Sequence, residues 1–231
     1  MKNISLLFEN DECIILNKPA GLPVQGGEKV GASLDRILAS ERSPRPLLVH
    51  RLDKDTSGLI LVAKNREAAA RFSVLFSSGG TNRGITKLYL AICAGQPNPP
   101  SGIIREELSG KRGIQKAVTS YRLLDENGGF SLMELKLGTG RTHQIRRHLS
   151  RLGNPILGDD KYGNFALNKE LRKTLGLKYL LLHSARLIID ASLLGYPLDV
   201  STPPPDYFQI FNIGEGPGYE PVHLPKRKES L

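Results

Sequence analysis

The sequence contains no tryptophan and only two cysteines, and aromatic residues make up just 6% of its 231 positions. Cys13 and Cys93 lie far apart and form no C-x-x-C unit, which excludes a disulfide framework and favours a reducing compartment. A short apolar stretch near the N-terminus is interrupted by Glu9, Asp11 and Glu12. This pattern is typical of neither a signal peptide nor a membrane span. We therefore expect a soluble, cytoplasmic protein.

Motifs for common cofactors are absent as well. The sequence has no Gly-x-Gly-x-x-Gly, no P-loop and no His-Glu-x-x-His. Of its histidines, His143 and His148 are close in sequence, but a spacing of five does not place two side chains on one helix face. We expect neither a cofactor nor a metal site.

Positive charge is what the sequence has in excess. It has 32 Lys and Arg residues against 23 Asp and Glu, which gives a formal net charge of +9. Such an excess attracts polyanions and releases their counterions on binding, so the composition favours a nucleic-acid partner. The alternative is a basic surface that serves only solubility.

Hydrophobic patterns predict more strands than helices. Apolar or alternating segments predict strands over 12–17, 58–63, 85–94, 115–124 and 130–137. Helices are predicted after the capping residues Ser33 and Asn65, and from Thr142 to Leu152. Gly79 and Gly80 should end the second of these helices. The pattern indicates an α+β fold with a mixed, mostly antiparallel sheet.

The C-terminal segment differs in composition from the rest of the chain. Beyond Thr202 it is rich in Pro and Gly, and it contains the basic run Lys226, Arg227 and Lys228. We predict one folded domain over residues 1–208 and a poorly ordered tail over residues 209–231.

A first polar cluster, HRLDKDTSG, lies between two apolar segments and includes Asp53 and Asp55. A charged loop between two core strands has rigid support, so its side chains can be aimed at a substrate. The alternative is a structural turn in which one of these aspartates accepts backbone hydrogen bonds.

A second cluster, GTGRTHQIR, ends a predicted strand and opens a predicted helix. From Lys136 to Arg151 the chain has five Lys or Arg residues and no acid. A helix N-terminus beside Gly and Arg can bind a carboxylate or a phosphate. We expect Arg146, Arg147 and Arg151 to point away from the buried stripe of this helix. The alternative to anion binding is a basic helix face turned to solvent.

A third feature is the strand segment KLYLA. Alternation along a strand places Lys87 and Tyr89 on the same face, opposite Leu88 and Leu90. Tyr89 should therefore face away from the main core and towards whatever Lys87 faces, although a half-buried structural tyrosine fits the pattern equally well.

These segments, in this order, resemble the RluA family of RNA pseudouridine synthases. The family signature resembles HRLDKDTSGLILVAKN, and its catalytic aspartate aligns with Asp53. Further matches are NDECIILNKPAGLPV, KLYLA, the run from GTGRTHQIRRHL to NPILGDDKYG, and LLLHSARL. The resemblance covers roughly residues 8–208. Several motifs in order, with these spacings, are a far stronger signal than any one of them.

The resemblance implies a pseudouridine synthase catalytic domain with a central cleft. It implies that Asp53 is the nucleophile, that Arg141 pairs with it, and that Tyr89 stacks on the target uracil. No cofactor is implied, because one carboxylate suffices when the departing base itself returns to the sugar.

The resemblance also implies three RNA-binding residues. Arg51 would fill the space that the target base leaves when it flips out of the RNA, and Lys87 and Arg146 would hold phosphates. The chain resembles family members without an upstream RNA-binding domain, which act on transfer RNA, ribosomal RNA or both. Nothing in the sequence requires more than a monomer. A non-catalytic RNA-binding module and a base-excising hydrolase are the alternatives.

Overall fold

The computed structural model describes residues 4–27, 31–77, 84–110 and 113–213. Within these ranges, ten strands form one sheet: β1 (Ser5–Glu9), β2 (Cys13–Lys18), β3 (Leu47–Leu48), β4 (Ser57–Ala63), β5 (Ile85–Ala94), β6 (Ser101–Gly110), β7 (Gly113–Asn127), β8 (Phe130–Leu137), β9 (Leu182–Ile189) and β10 (Leu198–Ser201). The α-helices are α1 (Leu34–Glu41), α2 (Arg66–Ser77), α3 (Gln144–Arg151), α4 (Phe165–Thr174) and α5 (Ala191–Leu194). A 3-10 helix spans Asp206–Phe211.

The strand order is β1-β2-β4-β9-β5-β8-β7-β6, with β3 paired to β4 and β10 paired to β9. Each of these pairs is antiparallel except β4 with β9, which run parallel at Ser57–His183 and Gly58–Ser184. The predicted α+β class with a mixed, mostly antiparallel sheet is confirmed.

The parallel contact between β4 and β9 requires glycine at position 58. Gly58 has a φ of +105°, and a Cβ atom there would lie 2.2 Å from the carbonyl oxygen of Ser184. Only glycine combines this backbone conformation with so close an approach. The two strands therefore meet directly after the loop that carries Asp53.

Apolar side chains cover the sheet on both faces. Along β2, Ile14 and Leu16 belong to the larger core cluster, while Cys13 and Ile15 belong to the smaller one. β4 is buried along its whole length in the same way. Burial on both faces explains why these strands appear in the sequence as continuous apolar runs. In the described ranges, no helix is long and apolar enough to cross a membrane.

Two of the predicted helix starts are confirmed. The Oγ of Ser33 accepts from the amide of Arg36, and Oδ1 of Asn65 accepts from the amide of Ala68 at 2.8 Å. The third start is wrong, because α3 begins at Gln144 and its N-cap is His143 rather than Thr142. The predicted helix end at 79–80 lies outside the described residues.

The folded part of the chain extends beyond the predicted boundary at Phe208. Phe211 and Ile213 are buried in the larger core cluster together with Phe208, because the 3-10 helix packs its aromatic side chains inward. Residues 214–231 lie outside the described residues, so the poor order of this segment remains a prediction.

The sequence patterns missed β1, β6 and α4. β1 and β6 are the outer strands of the sheet and are largely exposed. An outer strand that covers little core needs few apolar residues, so it gives a weak alternation signal.

Candidate active site

A cavity of about 570 Å³ opens where the Asp53 loop, β5 and the start of α3 meet. Its lining includes Arg51, Asp53, Lys87, Tyr89, Arg141, His143 and Arg146. The structure thus brings together every site residue predicted from the sequence. How those residues contact one another differs from the prediction.

The loop that carries Asp53 is held at several points along its backbone. The amide of Thr56 donates to the carbonyl of Asp53 at 3.2 Å, which closes a turn. On one side, Nε2 of His50 accepts from the amide of Leu61 at 2.9 Å. Burial, with a smaller effect of the Lys87 charge, lowers the pKa of His50 to about 3, so its ring stays neutral and can accept.

A buried lysine holds the other side of this loop. Lys18 is 0% exposed, and its ammonium group donates to the carbonyls of Pro19, Leu22 and Lys54 at 3.0, 2.9 and 3.0 Å. Because Lys54 directly follows Asp53, Lys18 connects the turn after β2 to the loop that bears the carboxylate.

Asp53 is partly exposed to the cavity, and two cationic or titratable groups face its carboxylate. Nη1 of Arg146 lies 3.4 Å from Oδ2, and Nε2 of His143 lies 3.7 Å from Oδ1. The side chain of Asp53 is 27% exposed, whereas that of Arg146 is only 8% exposed. One oxygen therefore faces a buried cation, while the carboxylate as a whole remains accessible.

Arg146 is itself fixed by a second carboxylate. Its Nε and Nη2 donate to Oδ2 and Oδ1 of Asp159 at 2.7 and 2.8 Å. Burial alone would raise the pKa of Asp159, but hydrogen bonds from Arg146 and from the amides of Tyr162 and Lys161 outweigh it and lower that pKa. Asp159 thus remains charged and leaves one terminal nitrogen of Arg146 free to face Asp53.

The predicted pairing of Arg141 with Asp53 is wrong in this structure. Nε of Arg141 donates to the carbonyl of Lys116 at 3.3 Å, and Arg146 takes the position beside Asp53. The expectation that Arg146 points away from the buried face of α3 is also wrong, since it is 7% exposed. An arginine can lie there because Asp159 compensates its charge.

Lys87 and Tyr89 both line the cavity, as strand alternation predicted. Tyr89 is nevertheless 7% exposed and packs in the larger core cluster, so it does not face away from the core. Burial raises its pKa to about 12; the hydrogen bond with Ser184 opposes this shift and the Asp53 charge adds to it. Burial lowers the pKa of Lys87, whose ammonium lies 5.7 Å from the centre of the Phe76 ring.

The remaining predicted residue, Arg51, is exposed where it lines the cavity. Its position fits a role in RNA binding, which stays a prediction.

Sequence reasoning missed three residues at this site: His143, Asp159 and Tyr162. His143 was weighed only as a metal ligand. Asp159 and Tyr162 lie in the NPILGDDKYG motif, to which no role was assigned. The motif match placed them near the site, but the contacts with Arg146 and His143 depend on the tertiary fold.

Proteins similar to this chain are described as RNA pseudouridine synthases. Residues 12–151 match the family model described as RNA pseudouridylate synthase. The chain is 36% identical over 218 residues to the ribosomal large subunit pseudouridine synthase C of Rickettsia typhi, covering 88% of this chain and 69% of that protein. It is 37% identical to an uncharacterized RNA pseudouridine synthase of Zymomonas mobilis, covering 88% and 94%.

A solved structure is similar across almost the whole fold. Human RNA pseudouridylate synthase domain containing 4 superimposes with a TM-score of 0.77 at 28% identity, covering 90% of this chain and 93% of that one. Motifs, fold and relatives agree, and the chain belongs to the RNA pseudouridylate synthases of the RluA type, which are isomerases.

Proposed function

We propose that this protein isomerises specific uridines in ribosomal RNA, transfer RNA or both to pseudouridine, with Asp53 as the nucleophile. The observation that carries this proposal is the accessible carboxylate of Asp53, which faces a cavity and is approached on one oxygen by the fixed guanidinium of Arg146.

The reaction requires no group from outside the RNA. The bond between C1′ of the ribose and N1 of uracil breaks, the base turns, and a bond forms between C1′ and C5. The proton on C5 is lost and N1 gains one, so atoms and charge balance without a redox step. One carboxylate can assist cleavage by attacking the sugar or base, and the same carboxylate leaves when the base returns.

Arg146 suits such a carboxylate better than a flexible cation would. Asp159 fixes two of its nitrogens, so the third presents a positive charge at a set position beside Asp53. A charge placed before the substrate arrives needs no reorganisation during the reaction. Arg146 thus takes the role that the family resemblance implied for Arg141.

Tyr89 is positioned to contact the base. Its ring can stack on uracil in the cavity, and its hydroxyl can take part in removing the proton from C5. The raised pKa of Tyr89 means that the hydroxyl carries its proton at neutral pH, so it acts first through hydrogen bonds.

The target base must leave the RNA stack to reach Asp53. A base inside a helix cannot enter a cavity of this size while paired, so we propose that it flips out and that Arg51 fills the vacated space. Lys87 lies in the cavity wall and would hold a phosphate near the flipped nucleotide. Arg141 would contribute to the same binding surface.

Ribosomal RNA is the first substrate to test, because the relative from Rickettsia typhi is a ribosomal large subunit pseudouridine synthase. Transfer RNA remains a second substrate class. We expect the protein to act as a monomer in the cytoplasm, as inferred from its sequence.

The proposal is tested by incubating the protein with total RNA from a strain that lacks it and mapping pseudouridine by carbodiimide-dependent reverse-transcription stops. New stops with the native protein that are absent with Asp53→Asn would support both the reaction and the nucleophile. Asp55→Asn is the matched control, because Asp55 is exposed in the same loop and should retain activity.

Other outcomes distinguish the alternatives. RNA that is bound but unchanged by the folded native protein would favour a non-catalytic binding module. Release of free uracil would favour a base-excising hydrolase. Full activity of Asp53→Asn would remove Asp53 from the role of nucleophile.

A further inference from the structure

His143 and Arg146 face different oxygens of the Asp53 carboxylate. Nε2 of His143 lies 3.7 Å from Oδ1 of Asp53, whereas Arg146 approaches Oδ2. The other ring nitrogen, Nδ1, is 3.0 Å from the hydroxyl of Tyr162, and the two rings meet edge to face at a centroid distance of 5.5 Å. A chain of contacts therefore runs from Tyr162 through His143 to Asp53.

The backbone at His143 adopts a conformation that side chains rarely take. His143 has φ 53° and ψ 30°, in the left-handed region, and it forms the N-cap of α3 without a side-chain capping hydrogen bond. A Ser, Thr or Asp at this position would normally cap the helix. Non-glycine residues in the left-handed region cluster at active sites and ligand-binding sites.

We propose that Tyr162 fixes His143 in the tautomer that carries its proton on Nε2, so that neutral His143 donates to Oδ1 of Asp53 when substrate is bound. This inference rests on the proposed role of Asp53 as nucleophile. His143 is then a catalytic residue, because it touches a reacting oxygen, and Tyr162 is a positioning residue that acts through it.

The tautomer follows from what each ring nitrogen faces. The carboxylate of Asp53 can only accept a hydrogen bond, so a lone pair on Nε2 would face another acceptor. The hydroxyl of Tyr162 can donate to Nδ1, which leaves the ring proton on Nε2. The present separation of 3.7 Å is longer than a hydrogen bond, and such catalytic contacts commonly shorten when substrate closes the site.

Burial favours a neutral His143 ring. It makes the largest contribution and lowers the pKa of His143; the charge of Asp53 raises that pKa, Arg146 and Lys161 lower it, and Asp159 raises it. The net pKa is below its ordinary value, so the ring is neutral at neutral pH. A neutral donor orients the carboxylate without adding a second full positive charge that would weaken it as a nucleophile.

Nitrogen-15 NMR of the labelled protein tests the tautomer without any RNA. Long-range proton–nitrogen correlations at pH 7.5 should show Nε2 protonated and Nδ1 unprotonated for His143, whose signals are identified by their loss in His143→Asn. Asp53→Asn should lower the pKa of His143, because a neighbouring negative charge is removed. A proton on Nδ1 of His143, or a pKa of His143 that is unchanged in Asp53→Asn, would overturn the proposal.

Single-turnover kinetics then test the consequence for the reaction. Tyr162→Phe should retain RNA affinity and lower the rate about tenfold, as expected for the loss of the hydrogen bond that positions His143. Its NMR spectrum should show both tautomers. Tyr179→Phe is the matched control, because Tyr179 lies outside the cavity and is 44% exposed, and it should retain the native rate.

The substitution His143→Asn distinguishes the role of the imidazole ring from the role of the backbone turn at position 143. Asparagine tolerates the left-handed conformation but is too short to replace the ring, so the rate should fall about tenfold or more while the fold is kept. A native rate in His143→Asn would show that position 143 serves only the turn and would overturn the proposal. In that case, loss of activity in Asp53→Asn would still support Asp53 as the nucleophile. The proposal for His143 can therefore fail while the proposal for Asp53 holds.

Discussion

Asp159 binds Arg146 at two points, with Nε and Nη2 of the guanidinium 2.7 and 2.8 Å from its carboxylate oxygens. The side chains are 1% and 8% exposed, so this ion pair is almost completely withdrawn from water. Asp159 also accepts from the amides of Lys161 and Tyr162, so the same carboxylate holds the turn that precedes α4. The pair thus couples the stability of this region to the position of the cation beside Asp53.

Asp159→Asn should therefore destabilise the protein by about 3 kcal/mol, because it leaves the buried charge of Arg146 without its main partner. The single-turnover rate should fall as well, since Arg146 loses its fixed position. Urea unfolding monitored by circular dichroism measures the first effect. Asp160→Asn is the control: its carboxylate is 71% exposed and pairs with Arg172 at the surface, so it should change stability by less than about 1 kcal/mol. Equal losses of unfolding free energy in Asp159→Asn and Asp160→Asn would show that the buried pair stabilises the protein no more than the surface pair does.

Substitutions of Arg146 and Arg141 should have different effects, one on the reaction rate and the other on RNA binding. Arg146→Ala should lower the single-turnover rate by about 100-fold, a loss typical of one preorganised electrostatic group at a reacting centre. Arg141→Ala should chiefly weaken RNA binding and make it less dependent on salt, because Arg141 lies at the cavity without contacting Asp53. Rates at saturating RNA and dissociation constants at two salt concentrations distinguish these effects. The reverse result would restore Arg141 to the catalytic role implied by the family resemblance.

Much of the fold was accessible from the sequence because it depends on local patterns. The apolar segment over 58–63 predicted a strand, and Asn65 predicted the start of α2; both are confirmed. The outer strands β1 and β6 were missed because they cover little of the core. The packing of Phe211 was also missed, since it depends on a surface formed by distant parts of the chain.

Which residues line the site was predictable, but the contacts among them were not. Asp53 and Tyr89 were identified from motifs, and both line the cavity. The motif GTGRTHQIR contains both Arg141 and Arg146, and the family resemblance implied a pairing of Asp53 with Arg141. The sequence gives no measure of which arginine turns inwards. In the structure Asp159 pairs with Arg146 and compensates its buried charge, a contact between residues 13 positions apart that the motif alone does not reveal.

The pH dependence of RNA modification should identify Lys87 rather than Tyr89 as the group that titrates on the basic side. Burial lowers the pKa of Lys87, so its positive charge is lost as pH rises and RNA binding weakens at a pH below the usual lysine range. Tyr89 has a pKa of about 12 and keeps its proton throughout this range. Profiles of kcat/KM against pH should therefore show a basic limb that disappears in Lys87→Arg.

Tyr89→Phe should retain this basic limb and the native RNA affinity, because the ring remains available for stacking. Its single-turnover rate should fall at least about tenfold if the hydroxyl takes part in proton transfer from C5. A native rate would remove the hydroxyl from the mechanism. Disappearance of the basic limb in this variant would show that Tyr89, and not Lys87, is the group that titrates.

Lys18 should contribute to both stability and activity through the backbone of the Asp53 loop. Lys18→Met keeps the length of the side chain but removes three hydrogen bonds to the carbonyls of Pro19, Leu22 and Lys54. Buried carbonyls that lose a charged donor are costly, so we expect a loss of about 3 kcal/mol in the free energy of unfolding.

The control for this exchange is Lys64→Met. Lys64 pairs with Glu9 at 3.0 Å but is 33% exposed, so its removal should cost less than about 1 kcal/mol. Under conditions where Lys18→Met remains folded, its single-turnover rate should also fall, because Lys54 follows Asp53 and the carboxylate loses part of its support. A destabilised variant with a native rate would show that Lys18 stabilises the fold without positioning the nucleophile.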